Sequence, residues 1–247
     1  MKVLATYNIK GGVGKTATAV NLSYLAARDG LRVLLADLDP QAAATYTLRV
    51  RPRVKGGGKA LITGSRELDA AIKGTDFDNL DLLPADFTFR NLDLMLDATK
   101  TPTQRLARLL RPLRASYDLV FLDCPPGISL LSESVLHAAD LALVPIIPTT
   151  LSLRTLDQLT EFISDFDGPR PEVLAFSSMI DRRKRLHKEI AERLPAERKD
   201  VADTAIPALS MIEQMSVRRA PVAAFAPRSA AARAYAQLWA EVRDRLF

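Results

Sequence analysis

Short apolar runs alternate with longer amphipathic stretches along the chain. Lys2–Ile9, Leu31–Ala36, Leu80–Leu83, Leu119–Leu122, Leu141–Ile147 and Val173–Ser178 are nearly continuous in Val, Leu, Ile and Ala. Strands covered on both faces read this way, and parallel sheets cover both faces. Between them, Thr16–Asp29, Phe87–Ala98, Thr103–Ala115, Ser129–Ala138, Leu153–Phe166 and Lys184–Leu194 predict helices. A last helix is predicted over Ala230–Leu246, with Tyr235, Leu238, Trp239, Val242 and Leu246 on one stripe. Such alternation predicts βαβ units, hence an α/β fold with a single doubly wound, mostly parallel sheet and helices on both faces. No repeat or composition break divides residues 1–247, so one domain is expected. Arg49–Lys59, basic and glycine-rich, predicts an exposed, mobile loop, and Asp167–Pro171 predicts a turn.

Composition narrows the class without naming a chemistry. With 48% apolar and 26% charged residues the chain has ample core material and is not a disordered one. Thirty-four Lys and Arg against 29 Asp and Glu leave a formal charge of +5, which permits a polyanionic partner. A single cysteine, Cys124, excludes an internal disulfide framework and fits a reducing cytosol. The first residues carry no long apolar run before a small-residue cleavage site, and no apolar stretch approaches the ~18 residues of a membrane span.

The sharpest chemistry lies in Lys10-Gly11-Gly12-Val13-Gly14-Lys15-Thr16, between a strand and a helix. Glycines let consecutive backbone N–H groups curl around phosphate oxygens, and a helix N-terminus adds its positive dipole end. Gly11, Gly12, Val13, Gly14, Lys15, Thr16 and Ala17 are therefore the expected phosphate cradle. In such a loop Lys15 reaches the β- and γ-phosphates and the Thr16 hydroxyl ligates Mg²⁺. The usual first glycine of the motif is replaced by Ile9, and an extra lysine, Lys10, stands at the loop entrance. Gly56-Gly57-Gly58-Lys59 has no strand before it and is not a second cradle. Asp123 ends an apolar strand, where a carboxylate approaches a phosphate-bound metal.

These residues resemble the ParA/MinD family of P-loop ATPases, whose hallmark is K-G-G-x-G-K-[ST]. Asp37-Leu38-Asp39-Pro40-Gln41 resembles the family's first switch segment, and Tyr117–Gly127 its metal-binding strand and second switch. Leu82–Ala85 and Ile206-Pro207 also match, so the resemblance runs from Met1 to the closing helix. It is nearest to short ParA proteins without an N-terminal helix-turn-helix domain.

The resemblance implies a P-loop fold and a Mg²⁺-dependent ATP hydrolase with ATP and Mg²⁺ as cofactors, slow alone and stimulated by a partner. Lys10, Lys15, Asp39 and Asp123 become the catalytic set, and Thr16, Asp39 and Asp123 the metal set. Lys10 is expected to reach across an ATP-dependent homodimer to the partner's nucleotide, as an arginine finger does in trans. Asp39 is expected to orient the attacking water, while Asp37 either joins it or bonds the P-loop. Pro125-Pro126-Gly127 would form the second switch. Adenine is expected against Ser178, Met179, Ile206 and Pro207, although many relatives carry asparagine where this chain has Ser178. The cationic stretch Arg182, Arg183, Lys184, Arg185 and Lys188, with Arg218 and Arg219, is expected to form a non-specific DNA-binding face. Arg228 and Arg233 lie nearby in sequence. A ParB-like protein or cargo adaptor is the expected partner, and the expected location is cytoplasmic, on the nucleoid.

Other readings stay open at this point. A MinD-like membrane-associated ATPase would use an amphipathic tail, for which Ala230–Phe247 is the one candidate; no stable membrane association is expected. A redox ATPase with a shared [4Fe–4S] cluster needs two thiolates per subunit, and this chain has one. Relatives that phosphorylate or amidate small acids would leave the basic stretch without a role. His137 and His187 lack metal-ligand spacing and read as surface or helix-packing residues, and Cys124 as a small buried one.

Overall fold

The computed structural model describes residues 1–63 and 65–247. In chain order the elements are β1 (Lys2–Thr6), α1 (Lys15–Arg28), β2 (Val33–Asp37), α2 (Ala43–Thr47), α3 (Gly57–Thr63), α4 (Ser65–Ala71), β3 (Lys73–Gly74) and β4 (Leu80–Leu83). Then follow α5 (Leu92–Asp97), α6 (Arg105–Leu110), β5 (Leu119–Asp123), α7 (Leu130–Ala138), β6 (Leu141–Ile146), α8 (Thr150–Ser164) and β7 (Glu172–Ser177). The chain closes with α9 (Arg185–Glu197), α10 (Ser210–Arg218), α11 (Val222–Phe225) and α12 (Ala230–Leu246). Among the described residues the strands form one seven-stranded sheet in the order β3-β4-β2-β5-β1-β6-β7. All neighbours are parallel except the β3–β4 pair at the edge.

Both faces of the sheet are covered, which is why the strands read as continuous apolar runs. On one face Leu4, Leu35, Phe121 and Phe176 pack against α1 and α12; on the other Val3, Ala5, Val120 and Leu122 pack against α5 to α8. The apolar stripe of α12 lies in this core, with Tyr235, Leu238, Trp239, Val242 and Leu246 all buried. Each such side chain contributes about 1.5–3 kcal/mol by leaving water. The Trp239 indole donates to Asp29 at 2.7 Å, closing α12 onto the end of α1.

Several boundaries differ from those the sequence predicts. β1 stops at Thr6 rather than Ile9, because Asn8 turns its side chain to anchor the following loop. The helix expected over Phe87–Ala98 is a 3₁₀ turn, Phe87–Asn91, capped by Asp86, followed by α5. That over Thr103–Ala115 is a 3₁₀ turn opened by Pro102, then α6, then a second 3₁₀ turn, Arg111–Ala115, where Pro112 ends the α-helical run. α8 begins earlier than Leu153, where the Thr149 hydroxyl caps Ser152. The loop expected over Arg49–Lys59 is corrected: Val54 is buried and Gly57–Lys59 already belong to α3. Gly57, at φ 61°, packs so closely that a Cβ would lie 2.5 Å from Thr88 Oγ1. α2, α4, α10, α11 and the edge strand β3 were not anticipated. They are short, and α10 buries only Met215, so no apolar period marks them.

Candidate nucleotide site

The carboxyl ends of β1, β5 and β2 lie side by side, with Thr6 in register with Asp123 and Asp123 with Asp37. α1 leaves β1 towards one face while α7 leaves β5 towards the other. Ligands of open α/β sheets bind in the crevice beyond such a divergence.

The loop from Ile9 to Lys15 sits in that crevice. Asn8 holds its entrance, accepting from Lys10 N–H at 2.8 Å and donating to the Pro145 carbonyl at 2.8 Å. Gly12 and Gly14 take φ of 71° and 96°, turning the loop into the N-terminus of α1. At Gly14 a Cβ would stand 3.0 Å from Ser178 Oγ, so a side chain there would crowd that hydroxyl as well as strain the backbone. The Lys15 ammonium donates to the carbonyls of Lys10 at 2.9 Å and Asn8 at 3.3 Å. Burial lowers its pKa, and the charges of Asp123 and Asp39 oppose that shift.

Two hydrogen bonds join the loop to the Pro125-Pro126-Gly127 segment. Tyr7 Oη donates to the Gly127 carbonyl at 2.7 Å, and Gly127 N–H donates to the Ile9 carbonyl at 3.0 Å. Burial pushes the Tyr7 phenol up to about 12, so it remains a donor.

Asp123 is fully buried and its Oδ2 has no hydrogen-bond partner among the described residues. Burial, and then the neighbouring Asp37 charge, raise its pKa well above the usual carboxylate range, while the nearby Thr16 hydroxyl and the charge of Lys15 draw it back. An orphaned buried carboxylate oxygen beside a hydroxyl is costly unless it meets a cation or a cation's water shell. Mg²⁺ prefers oxygen donors and keeps several waters, so this donor set fits it. No cluster of three or more His, Cys, Asp or Glu suited to a metal occurs among the described residues. Most of the ion's ligands would therefore be phosphate and water oxygens.

Asp37 accepts from Thr45 N–H and Oγ1 and from Asp39 N–H, and not from the P-loop. Desolvation pushes it up to about 6 despite those bonds. It braces the segment that carries Asp39, whose carboxylate accepts from Gln41 N–H at 2.9 Å.

A cleft of ≈ 360 Å³ brings together Gly11, Gly12, Gly14, Lys15, Thr16, Ala17, Asp39, Ser178, Met179 and Ile206. Pro126, from the expected second switch, completes its walls together with Ile212 and Tyr235, which were not anticipated. Val13 is buried beneath the loop, and Lys10 and Pro207 lie outside the lining. The Ser178 hydroxyl donates to the Val13 carbonyl at 2.9 Å, so it braces the loop. Met179, at φ 53° and 42% exposed, forms the rim.

The expected DNA-binding residues lie apart from this cleft. Arg182, Arg183 and Lys184 are exposed before α9, and Arg185 and Lys188 on its first turns. Asp181 binds the Arg183 guanidinium at 3.0 Å through each of its two oxygens, and Glu189 binds Arg185 at 2.6 Å. Arg218 is exposed at the end of α10, whereas Arg219 turns onto Tyr46. His187 is buried and accepts from Asp181 N–H at 3.2 Å, and His137 stacks on Phe166. Cys124 is buried, and burial raises its thiol pKa.

Residues 1–173 match a family model described as an AAA domain. The chain is 34% identical to chromosome partitioning protein ParA of Caulobacter vibrioides, over 99% of this chain and 95% of that one. It is 32% identical to sporulation initiation inhibitor protein Soj of Bacillus subtilis, over 98% of each. Among solved structures, cobyrinic acid a,c-diamide synthase of Mycobacterium smegmatis with bound ATP analogue and magnesium superposes with a TM-score of 0.83 at 28% identity, covering 98% of this chain and 94% of that one. The cell division ATPase MinD of Pyrococcus furiosus gives a TM-score of 0.80 at 24% identity over 98% of each chain, a likeness of fold.

Proposed function

The chain belongs to the ParA/MinD family of P-loop ATPases, and from that premise we propose that it hydrolyses ATP with Mg²⁺ in a face-to-face dimer. The dimer binds DNA without sequence preference and positions a cargo through a ParB-like or adaptor protein, in the cytoplasm and on the nucleoid. The observation that carries this reading is the convergence of the glycine loop, Lys15, Thr16 and Asp39 in one cleft, with the unpartnered Asp123 oxygen beneath it.

Each residue then has a task. Backbone N–H groups of residues 11–16 bind the β- and γ-phosphates, aided by the dipole of α1. Lys15 exchanges its two carbonyl partners for phosphate oxygens. Thr16 would ligate Mg²⁺ directly, and Asp123 and Asp39 would hold its waters. Magnesium held there would supply charge neutralisation for the transferring phosphoryl group. Asp39 orients the attacking water. Lys10 serves the partner's nucleotide, which makes ATP part of the interface. Ile206, Ile212 and Met179 offer apolar surface to the base.

The DNA face is formed by Arg182, Arg183, Lys184, Arg185 and Lys188 with Arg218, whereas the Arg219 guanidinium is held by the Tyr46 carbonyl and ring and is not free to join it. Dimerisation doubles it, and each phosphate neutralised contributes a salt slope of about −0.9 on duplex DNA. A monomer then binds weakly and a dimer well. A membrane-anchoring reading is less well supported, because the apolar stripe of α12 is spent on the core. No helix among the described residues is long and apolar enough to cross a membrane. Phosphate release with Mg²⁺-ATP, measured with and without DNA and at rising salt, tests the proposal. Turnover without Mg²⁺, or DNA binding independent of nucleotide and salt, would overturn it.

A further inference from the structure

Two arginines far apart in sequence hold each other's segments. Arg49, just after α2, donates from Nε to the Arg219 carbonyl at 3.2 Å and from Nη2 to the Arg218 carbonyl at 3.1 Å. Arg219 donates back from Nε to the Tyr46 carbonyl at 2.9 Å, and its guanidinium lies 4.6 Å from the centre of the Tyr46 ring. Each arginine takes positive φ, 61° at Arg49 and 50° at Arg219. Holding non-glycine residues there costs energy that the surrounding contacts must offset. The Arg49 guanidinium also sits at the C-terminus of α10, where free carbonyls and the negative dipole end favour a cation.

Of the elements joined in this way, α10 lines the nucleotide cleft through Ile212, and α2 follows the cleft residue Asp39 in the chain. α2 begins at Ala43, after the short turn of residues 40–42 that follows Asp39, and Asp37 fixes it through Thr45. α10 contributes Ile212 to the cleft wall and carries exposed Arg218 at its end. Its other anchor is α1, where Asn21 Nδ2 contacts the Met215 sulfur at 3.1 Å, while Asn21 Oδ1 accepts from Val222 N–H at the start of α11 at 2.8 Å. The Asp39 segment and α10 are therefore tied at a second point, away from the nucleotide itself.

We propose that Arg49 and Arg219 form a reciprocal clasp that transmits the nucleotide state of the Asp39 segment to α10. Both are positioning residues. When the γ-phosphate draws the Asp39 segment, α2 shifts and α10 shifts with it, re-aiming Arg218 and the Ile212 wall. The inference rests on the nucleotide-binding part of the proposed function and is independent of DNA binding. It gives Arg219 a geometric task that a lysine cannot perform, since an ammonium lacks the planar fork and stacks poorly on a ring.

Hydrogen-exchange mass spectrometry on the full chain reads the clasp directly, with Mg²⁺ plus a non-hydrolysable ATP analogue compared with Mg²⁺-ADP. In wild type, residues 39–50 and 210–222 change protection together between the two nucleotides. In Arg49→Lys, residues 39–50 still respond, while the response of 210–222 falls at least ~5-fold, the lower end of usual coupling factors. Arg219→Lys, which preserves charge, behaves alike. A response of 210–222 that persists in both variants overturns the clasp, as does a wild-type response confined to 39–50. Nucleotide titration of the same samples separates the two levels: wild type that fails to bind ATP sinks the ATPase reading, and the clasp falls with it. Loss of DNA binding with the exchange response intact sinks only the DNA reading.

Discussion

The Asp37 carboxylate holds Thr45 by both of its donors, the backbone N–H at 2.8 Å and the hydroxyl at 2.7 Å, through a single oxygen. The Thr45 oxygen in turn accepts from Ala85 N–H at 2.9 Å, so one buried threonine joins the ends of β2 and β4. Thr45→Val keeps the shape and removes the hydroxyl. It leaves Ala85 N–H unpaired and removes one donor from Asp37, a loss of about 1–3 kcal/mol. Urea denaturation should show a lower midpoint with an unchanged slope.

A second carboxylate sets an acid limit. Asp118 accepts from Arg32 N at 2.9 Å, Nε at 3.1 Å and Nη2 at 2.7 Å, and the guanidinium holds its pKa down at about 2. An unfolded aspartate titrates near ~3.9, so the folded state binds its proton less tightly. The stabilisation is present above that value and is lost as pH falls through about 2. With the pair largely in water, solvent screening keeps this contribution small. Asp118→Asn should lower the melting temperature at pH 7 by roughly 2–4 °C, and the gap should close near pH 2.

Lys15→Ala removes the ammonium that bonds the loop carbonyls of Lys10 and Asn8. Two charge-assisted hydrogen bonds to phosphate, at about 1.5–3 kcal/mol each, correspond to a loss of at least ~100-fold in ATP affinity. Isothermal titration with Mg²⁺-ATP checks it; unchanged affinity would remove the cleft from its assigned role.

Arg182→Glu with Arg185→Glu reverses two charges on exposed positions outside the cleft. DNA affinity should fall with a shallower salt dependence, while ATP turnover without DNA stays within about twofold of wild type. A gel shift across salt concentrations measures the first and phosphate release the second.

The phosphate cradle was legible because it is contiguous: strand, glycine loop, Lys15, Thr16 and helix follow one another in sequence. The strands were legible because both sheet faces are covered, leaving unbroken apolar runs at residues 119–122 and 141–144. Tyr235 and Ile212 were not recognisable as cleft walls. Tyr235 sits on an apolar stripe that looks the same whether it faces core or ligand. The Arg49 clasp was hidden for a different reason, since its acceptors are backbone carbonyls 169 and 170 residues away. Composition marked that segment as a solvated loop, and carbonyl partners leave no trace in side-chain pattern. Ser178 matched the family's strand-end position, but its hydroxyl is committed to Val13, a tertiary contact that spacing does not reveal.

The account stands most directly on whether ATP joins two copies of this chain. Light scattering coupled to size-exclusion, with Mg²⁺ and a non-hydrolysable ATP analogue, should give twice the monomer mass of 27.1 kDa. With ADP the mass should return to that of one chain, and Lys10→Ala should stay monomeric while still binding the analogue. Wild-type protein that remains at 27.1 kDa with the analogue saturated would contradict the shared-nucleotide dimer.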